Sequence, residues 1–302
     1  MERYHTSVLL QEAIDALNVK IGQKYIDATV GGGGHTEEIL KRGGIVLGID
    51  TDLDAIEYVQ KESGIRNQES GIEKRLTLVH GNFKDIKNIA LEHGFEKVSG
   101  ILFDLGVSSF QLDNPEKGFS FLRNGPLDMR MDKNLGVRAA DLVNALSEKE
   151  LVLLFRRFGE EKNSLRIAKA IVQKRKNKPF ETTSDLVTCM EGVYNLRGEV
   201  SNKKKAEISK RVFLALRIAV NDELGVLTQA LQDAKSLLKS NGRLAVITFH
   251  SLEDRVVKQA FLKIQTDGFG TIITKKPIMA SAALQNENSR SRSAKLRVVI
   301  KN

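Results

Sequence analysis

A run of four glycines, Gly31 to Gly34, constrains the fold of this chain more than any other feature. It lies in the string DATVGGGGH at residues 27–35, between a strand-like and a helix-like stretch, and Asp50 closes the apolar run at 45–49. Successive glycines let the backbone pass very close to a ligand. An acidic residue about 20 positions further on suits the two hydroxyl groups of a ribose. The pattern predicts a nucleoside site.

Two nucleoside cofactors are candidates, a nicotinamide dinucleotide and S-adenosylmethionine. The dinucleotide fingerprint G-x-G-x-x-G needs a third glycine for close packing of helix on strand. Counted from Gly31 or Gly32, that position holds Thr36 or Glu37. His35 and Glu37 also make a poor cradle for a pyrophosphate. Asp27, at the end of the first predicted strand, suits a ligand with an amino-acid tail. A glycine-rich turn in an ordinary α/β domain is the third interpretation.

The first hundred residues alternate between strand and helix patterns. Strands are predicted at 24–27, 45–50, 75–79 and 100–105, with helices at 36–41 and 53–62. Such alternation predicts a parallel sheet with helices on both faces. Ligands bind such sheets at the carboxyl ends of the strands, where Asp27, Asp50, Phe83 and Asp104 are expected. We therefore expect an α/β, Rossmann-like sheet.

A mainly helical segment interrupts this pattern. Between 112 and 205 the sequence shows helical spacing without a convincing strand, and helices are predicted at 148–158, 164–175 and 184–193. The α/β pattern then returns with helices at 206–227 and 231–238, a strand at 244–249, a helix at 252–264 and a strand at 296–300. The predicted organisation is a discontinuous domain, 1–111 and 206–302, with a helical insert at 112–205.

Charge and composition narrow the class of protein further. The formal net charge of +9 over 302 residues favours a polyanionic partner such as nucleic acid. The single cysteine, Cys189, excludes an internal disulfide framework and fits a reducing, cytoplasmic location. No stretch reaches 18 apolar residues, so we expect no membrane span and no membrane partner. His5 and His80 lack partners at metal-ligand spacing, so we expect no metal.

Several rare strings place the chain near a known family. They include DATVGGGGHT at 27–36, GILFDLGVSSFQLDNPEKGFSFLRNGPLDMRM at 100–131, FGEEKNSLRIAKAIV at 158–172, LALRIAVNDEL at 214–224, TFHSLEDRVVK at 248–258 and SRSAKLRV at 291–298. In content and order they resemble the MraW family, which methylates the exocyclic N4 of a cytidine in small-subunit (16S) ribosomal RNA. The chain departs from the family pattern at 206–217 and at Thr248, where serine is usual.

The resemblance implies a methyltransferase that uses S-adenosylmethionine. Seven cofactor-binding residues follow from it: Gly33, Gly34, His35, Asp50, Phe83, Asp104 and Gln111. The glycines and His35 would contact the cofactor at the loop, and Asp50 would accept the ribose hydroxyls. Phe83 would lie against the adenine, with Asp104 and Gln111 near the amino-acid and methyl end. Reasoning from residue type alone agrees for Asp50 and Phe83.

The implied partner is small-subunit ribosomal RNA, either free or within the small ribosomal subunit. The insert and the basic stretches 174–178, 203–205 and 290–297 are the candidate RNA surface. The sequence leaves dimerisation open, so a homodimer is retained as an alternative. A nicotinamide-dependent oxidoreductase and a non-catalytic nucleic-acid-binding protein are the rival functions.

Three roles stay open at the level of sequence. Asp104 is the candidate acceptor of the proton from the target amine, or it only orients the cofactor. His250 either lines the mouth of the site or belongs to a polar turn in which Ser251 caps the following helix. Asp128 and Arg130, together with Asp132, either hold the RNA or form an internal ion-pair network.

Overall fold

A computed structural model describes residues 7–61, 75–196, 198 and 200–302. His5, considered above as a metal ligand, lies outside these ranges. The chain divides into two compact units. The α/β unit comprises Met1–Ser108 and Leu224–Asn302, and the helical unit comprises Ser109–Glu223.

The helices and strands follow in chain order. The first part of the α/β unit contains α1 (Leu10–Leu17), β1 (Lys24–Asp27), α2 (Gly34–Lys41), β2 (Ile45–Asp50), α3 (Leu53–Lys61), β3 (Leu76–His80), α4 (Ile86–Glu92) and β4 (Val98–Asp104). The helical unit contains α5 (Ser109–Asp113), α6 (Ala139–Ala145), α7 (Glu148–Gly159), α8 (Ser164–Arg175), α9 (Thr183–Val193) and α10 (Asn202–Asn221). The remainder holds α11 (Glu223–Leu237), β5 (Leu238–Thr248), α12 (Ser251–Thr266), β6 (Gly270–Ile272), β7 (Ile278–Met279), α13 (Ala282–Glu287) and β8 (Lys295–Lys301).

One eight-stranded sheet forms the centre of the α/β unit, in the order β3-β2-β1-β4-β5-β8-β6, with β7 paired to β8. The neighbours from β3 to β5 are parallel, and β8 is antiparallel to β5, β6 and β7. The chain moves outward from β1 through β2 to β3, and then returns to the other side of β1 with β4. In open α/β sheets, ligands bind in the crevice at such a reversal.

The core lies on both faces of this sheet. Along β1 and β2, Ile26 and Leu47 belong to a cluster with α4, α11 and α12, whereas Tyr25 and Val46 belong to a cluster with α1, α2 and α3. Successive strand residues point to opposite faces, so these near-continuous apolar strands are buried on both sides. Each fully buried side chain of this size contributes about 1.5–3 kcal/mol. The predicted Rossmann-like sheet, with helices on both faces, is confirmed.

The helical unit extends further than the sequence indicates. A single helix was expected at 206–227, but α10 starts at Asn202 and ends before Asp222, which adopts a left-handed conformation with φ of 47°. Because α10 packs against α7 and α9, it belongs to the helical unit, which runs to Glu223 rather than to 205. Helices α7, α8 and α9 match their predicted ranges within a residue, and α6 was not predicted.

The strand predicted at 244–249 begins earlier in the structure, and the helix predicted at 231–238 begins at Glu223 and ends at Leu237. Strand β5 begins at Leu238 and continues through Asn241, whose φ is 63°, with a register shift against β4 between Val98 and Gly100. A Cβ atom on Gly242 would lie 2.9 Å from the carbonyl oxygen of Val98, so only glycine fits this close approach of two strands. The short strands β6 and β7 were not predicted. Among the described helices, none is long and apolar enough to cross a membrane.

Candidate functional site

Three acidic residues lie at the carboxyl ends of neighbouring parallel strands. Asp27 ends β1, Asp50 ends β2 and Asp104 ends β4. Since β2 and β4 flank β1, these residues share one edge of the sheet, at the point where the strand order reverses. The prediction that they converge at this edge is confirmed.

Asp27 joins the two sides of the glycine loop. Its carboxylate is fully buried and accepts hydrogen bonds from the Thr29 backbone N–H at 3.2 Å and from Thr36 Oγ1, on α2, at 2.7 Å. Burial raises the pKa of Asp27 to about 6, against the opposing effect of the hydrogen bonds from Thr36 and Thr29. Thr29 Oγ1 in turn accepts a hydrogen bond from the Asp104 backbone N–H at 2.6 Å. The network fixes the loop relative to β4.

The glycine loop has the backbone that the sequence predicts. Gly31 and Gly33 have φ of 50° and 80°, and Gly33 occupies the N-cap position of α2. A side chain at Gly34 would collide with Ser7 Oγ. The first amide groups of a helix have no partner within the helix, so this loop offers N–H donors to a ligand.

Asp50 is connected directly to that loop. Its Oδ2 accepts a hydrogen bond from the Gly31 N–H at 2.8 Å, and its Oδ1 accepts one from the Asp52 N–H at 2.8 Å. A carboxylate can accept several hydrogen bonds at once, which also suits it to the two hydroxyls of a ribose. The two parts of the predicted nucleoside site are therefore assembled.

Phe83 follows β3 and begins a 3₁₀ turn, Phe83–Asp85. Asn82 caps this turn, since its Oδ1 accepts a hydrogen bond from the Lys84 N–H at 2.9 Å. The half-buried ring of Phe83 packs edge-to-face on Phe103, with ring centroids 5.5 Å apart and an interplanar angle of 89°. The packing holds an aromatic ring beyond the carboxyl end of β3, as a site for a flat base requires.

Asp104 has a buried acceptor atom available to a ligand. Its Oδ1 is buried and accepts no hydrogen bond within the described part of the chain, and its Oδ2 lies 3.6 Å from His35 Nδ1. Burial, and then the negative charges of Asp27 and Glu253, raise the pKa of Asp104 well above its usual range. A buried acceptor without a donor is costly, so it fits a ligand that brings an N–H group or a positive charge.

The turn after β5 corrects the predicted helix cap. His250, not Ser251, is the N-cap of α12, and the buried Glu253 closes the capping box by accepting the Phe249 N–H at 2.8 Å and the His250 N–H at 3.3 Å.

Asp254, on the same helix, instead pairs with Arg297 on β8, with Nε to Oδ1 at 2.6 Å. Burial raises the pKa of Asp254, but the hydrogen bonds and charges of Arg297 and Lys295 outweigh it and hold this pKa low. The string SRSAKLRV thus contacts α12 through Arg297, so Arg297 is not part of the predicted RNA surface. The side chain of Arg290, the other end of that predicted stretch, lies outside the described residues.

In the helical unit, the loop around Arg130 forms an internal network. Arg130 binds Asp128 through two hydrogen bonds of 2.7 and 2.9 Å and donates to the carbonyl oxygens of Lys133 and Leu135. Met129 has φ of 64°, and its carbonyl oxygen accepts a hydrogen bond from Asn221 Nδ2. Asp128 and Arg130 therefore form an internal ion pair, whereas Asp132 accepts a hydrogen bond from the Asn134 N–H at 2.8 Å. Asn221 was not selected from the sequence, although it lies within the string LALRIAVNDEL.

Gln111 lies on α5 in the helical unit and is buried. Its assignment to the cofactor depends on the resemblance alone and stays a prediction.

The glycine loop, the acidic end of β2 and the buried acceptor at the end of β4 together fit a nucleoside that carries an amino acid and a positive charge. They define an S-adenosylmethionine-dependent methyltransferase. Residues 2–302 match the model of the MraW methylase family, and the chain belongs to that family.

Known proteins resemble the chain along its whole length. It is 43% identical to the ribosomal RNA small subunit methyltransferase H of Clostridioides difficile and 45% identical to that of Lactobacillus johnsonii, over 100% of each chain. Among solved structures, an rRNA methylase from Streptococcus thermophilus aligns over 98% of this chain and 97% of its own, at 10% identity and a TM-score of 0.45.

Proposed function

We propose that this protein transfers the methyl group of S-adenosylmethionine to the exocyclic N4 of a cytidine in small-subunit ribosomal RNA. The observation that carries the proposal is the full-length likeness, at 42–45% identity, to curated small-subunit ribosomal RNA methyltransferases. The net charge of +9 supports a nucleic-acid substrate. Such a substrate also favours a cytoplasmic location. A homodimer stays an open alternative.

The cofactor roles follow the geometry of the sheet edge. The backbone of Gly33, Gly34 and His35 would contact the cofactor at the glycine loop, and Asp50 would accept the ribose hydroxyls. Phe83 would pack against the adenine. Asp104 Oδ1 is available to a donor at the amino-acid and methyl end, and the resemblance adds Gln111 there.

The chemistry requires alignment and a proton acceptor. Bound S-adenosylmethionine supplies an activated methyl group on a sulfonium. The lone pair of the cytosine amine is delocalised into its ring, so an acceptor on the amine stabilises the positive charge that develops in the transition state. As the N4–C bond forms and the S–C bond breaks, the amine must lose one proton. We assign the carboxylate of Asp104 as the acceptor of this proton. The raised pKa of Asp104 makes it a stronger base than an ordinary carboxylate once it is ionised.

The proposal can be tested on small ribosomal subunits from a strain that lacks this protein. The subunits are incubated with methyl-labelled cofactor, and their RNA is digested to nucleosides and analysed by mass spectrometry. We expect new N4-methylcytidine with the wild-type chain. Asp50→Asn should raise the Kd for the cofactor about 10- to 100-fold, because hydrogen bonds to a charged group contribute about 1.5–3 kcal/mol.

The matched control is Asp54→Asn, which makes the same chemical change at an exposed position four residues away. It should bind the cofactor like the wild type. Tight binding of the cofactor by the wild-type chain without label in the RNA would reject the proposed substrate and favour the non-catalytic alternative. A different methylated nucleoside would reject the N4 assignment.

A further inference from the structure

Helix α8 carries an unusually one-sided set of charges. Residues 162–178 include seven lysines and arginines and no aspartate or glutamate. The neighbouring α7 has Glu148 and Glu150 in its first turn, and α9 has Asp185. The positive charge of α8 is therefore not balanced along its own length.

Most of the basic side chains at residues 174–178, a cluster evident in the sequence, already contact groups within the helical unit. Arg175 donates to the carbonyl oxygen of Val143 at 2.6 Å. Lys174 lies over the ring of Phe180, 5.8 Å from its centroid, and Lys178 pairs with Asp185 at 3.4 Å. At 203–205, Lys204 pairs with Glu207 and Lys205 lies 3.9 Å from Glu191. These clusters are partly neutralised.

Lys176, from the first cluster, and three residues outside both clusters form a basic face on α8. At 100° per residue, Arg166, Lys169 and Lys176 fall within about 80° of one another, opposite the buried Ile167 and Ile171. All three are exposed, and so is Lys162 in the turn before the helix. We define the basic face by these four residues: Lys162, Arg166, Lys169 and Lys176.

The charges of this face are available to an external partner. Within the described part of the chain, the side chains of Lys162, Lys169 and Lys176 make no ion pair or hydrogen bond, and Arg166 uses one side-chain N–H to reach the carbonyl oxygen of Val193 at 2.7 Å. From Lys162 to Lys176 the face spans about 21 Å at 1.5 Å per residue. A row of unpaired cations on a rigid, packed helix complements a polyanion with regularly spaced charges.

We infer that the basic face of α8 binds the phosphate backbone of the RNA substrate. This inference rests on the proposed function and names the surface through which the helical unit holds the RNA. Contacts to phosphate set position and affinity without reading the base, so they affect binding rather than the transfer step.

The test is a triple variant, K162Q/K169Q/K176Q, since glutamine preserves helix propensity and removes charge. The control is K87Q/K258Q/K263Q, which makes the same change in net charge at exposed positions on α4 and α12 of the α/β unit. The probe is small-subunit ribosomal RNA from a strain that lacks the protein. Its dissociation constant is measured from 0.05 to 0.5 M salt, roughly the range in which phosphate contacts are strongly screened.

Each lost phosphate contact removes about 0.7 from the slope of log affinity against log salt for single-stranded RNA. If the variant and the wild type bind equally at 1 M salt, where phosphate contacts are screened, the loss of three contacts weakens binding by the variant about 100-fold at 0.1 M salt. We expect this loss and a slope shallower by about 2 for the α8 variant, with cofactor affinity and helix content unchanged. Its kcat at saturating RNA should equal that of the wild type.

Equal weakening in both triple variants would overturn the inference, because net charge alone would then explain the effect. Wild-type affinity and slope in the α8 variant would overturn it as well. K162R/K169R/K176R, which keeps the charges, must restore binding. If the wild-type chain methylates neither this RNA nor the small ribosomal subunits, the proposed function itself fails, and that result is distinct from a failure confined to α8.

Discussion

Asp27 provides a direct test of the physical account of the site. Its carboxylate is fully buried, without a cationic partner in the described part of the chain, and burial raises its pKa from 3.8 to about 6. Asp27→Asn removes the titration and retains a side-chain oxygen for Thr36. The asparagine NH₂ group would face the Thr29 N–H, but the cost of that contact does not depend on pH.

The direction of the pH effect follows from proton binding. Because the folded pKa exceeds the unfolded value, the native state binds more protons between about pH 4 and pH 6. The contribution of Asp27 to stability is therefore present at low pH and is lost as the pH rises through about 6. The rise of the pKa from 3.8 to about 6 corresponds to about 3 kcal/mol in the free energy of unfolding, at 1.36 kcal/mol per pKa unit. About 2 kcal/mol of this contribution is lost between pH 4.5 and 7.5.

The assay is urea denaturation followed by far-ultraviolet circular dichroism, since the chain has no tryptophan. The free energy of unfolding is measured from pH 4.5 to 7.5 for the wild type, Asp27→Asn and the exposed control Asp54→Asn. The difference between Asp27→Asn and wild type should move by about 2 kcal/mol in favour of the variant as the pH rises. A constant difference across this range, or a movement in the opposite direction, would refute the reasoning.

Three further predictions concern the reaction and the helical unit. Asp104→Asn should lower kcat about 100-fold or more at saturating cofactor, because general-base catalysis contributes about 10²–10⁴; an unchanged kcat would leave Asp104 only a binding role. In the wild type kcat should rise with pH as Asp104 ionises, and Asp27→Asn should move that rise to lower pH, because the charge of Asp27 raises the pKa of Asp104. Gly118→Ala should destabilise the helical unit by about 3 kcal/mol, since φ is 69° and a Cβ would collide with the backbone of Pro126 and Asp128. Gly136→Ala, where a Cβ meets nothing within 4 Å, should change the melting temperature little.

Much of the α/β unit could be predicted because its signals are local. The glycine loop, the apolar strands β1, β2 and β4 and the acidic residues that end them are each encoded within a few neighbouring residues. Helix α7 was predicted closely for the same reason, since Ser147 and Glu150 form a capping box in the structure. The break at Asp222 was missed because the apolar stripe continues across it and the left-handed residue there is not a glycine.

The contacts of the site could not be predicted to the same extent. The sequence indicates that Asp27 and Asp104 lie at one edge, but not that Thr29 connects them or that Asp104 Oδ1 has no donor among the residues the structure describes. Those features depend on side chains that are distant in the chain and meet only after folding.

The sequence by itself determined the fold class, the family and the excess of positive charge. The tertiary structure alone decided which cations remain available, because packing turned Arg175 towards Val143 and left Lys169 in solvent. The reason is that composition and local pattern specify which helices and strands form. Which face of a helix is buried, and so which charges are neutralised, is settled only when that helix packs against its neighbours.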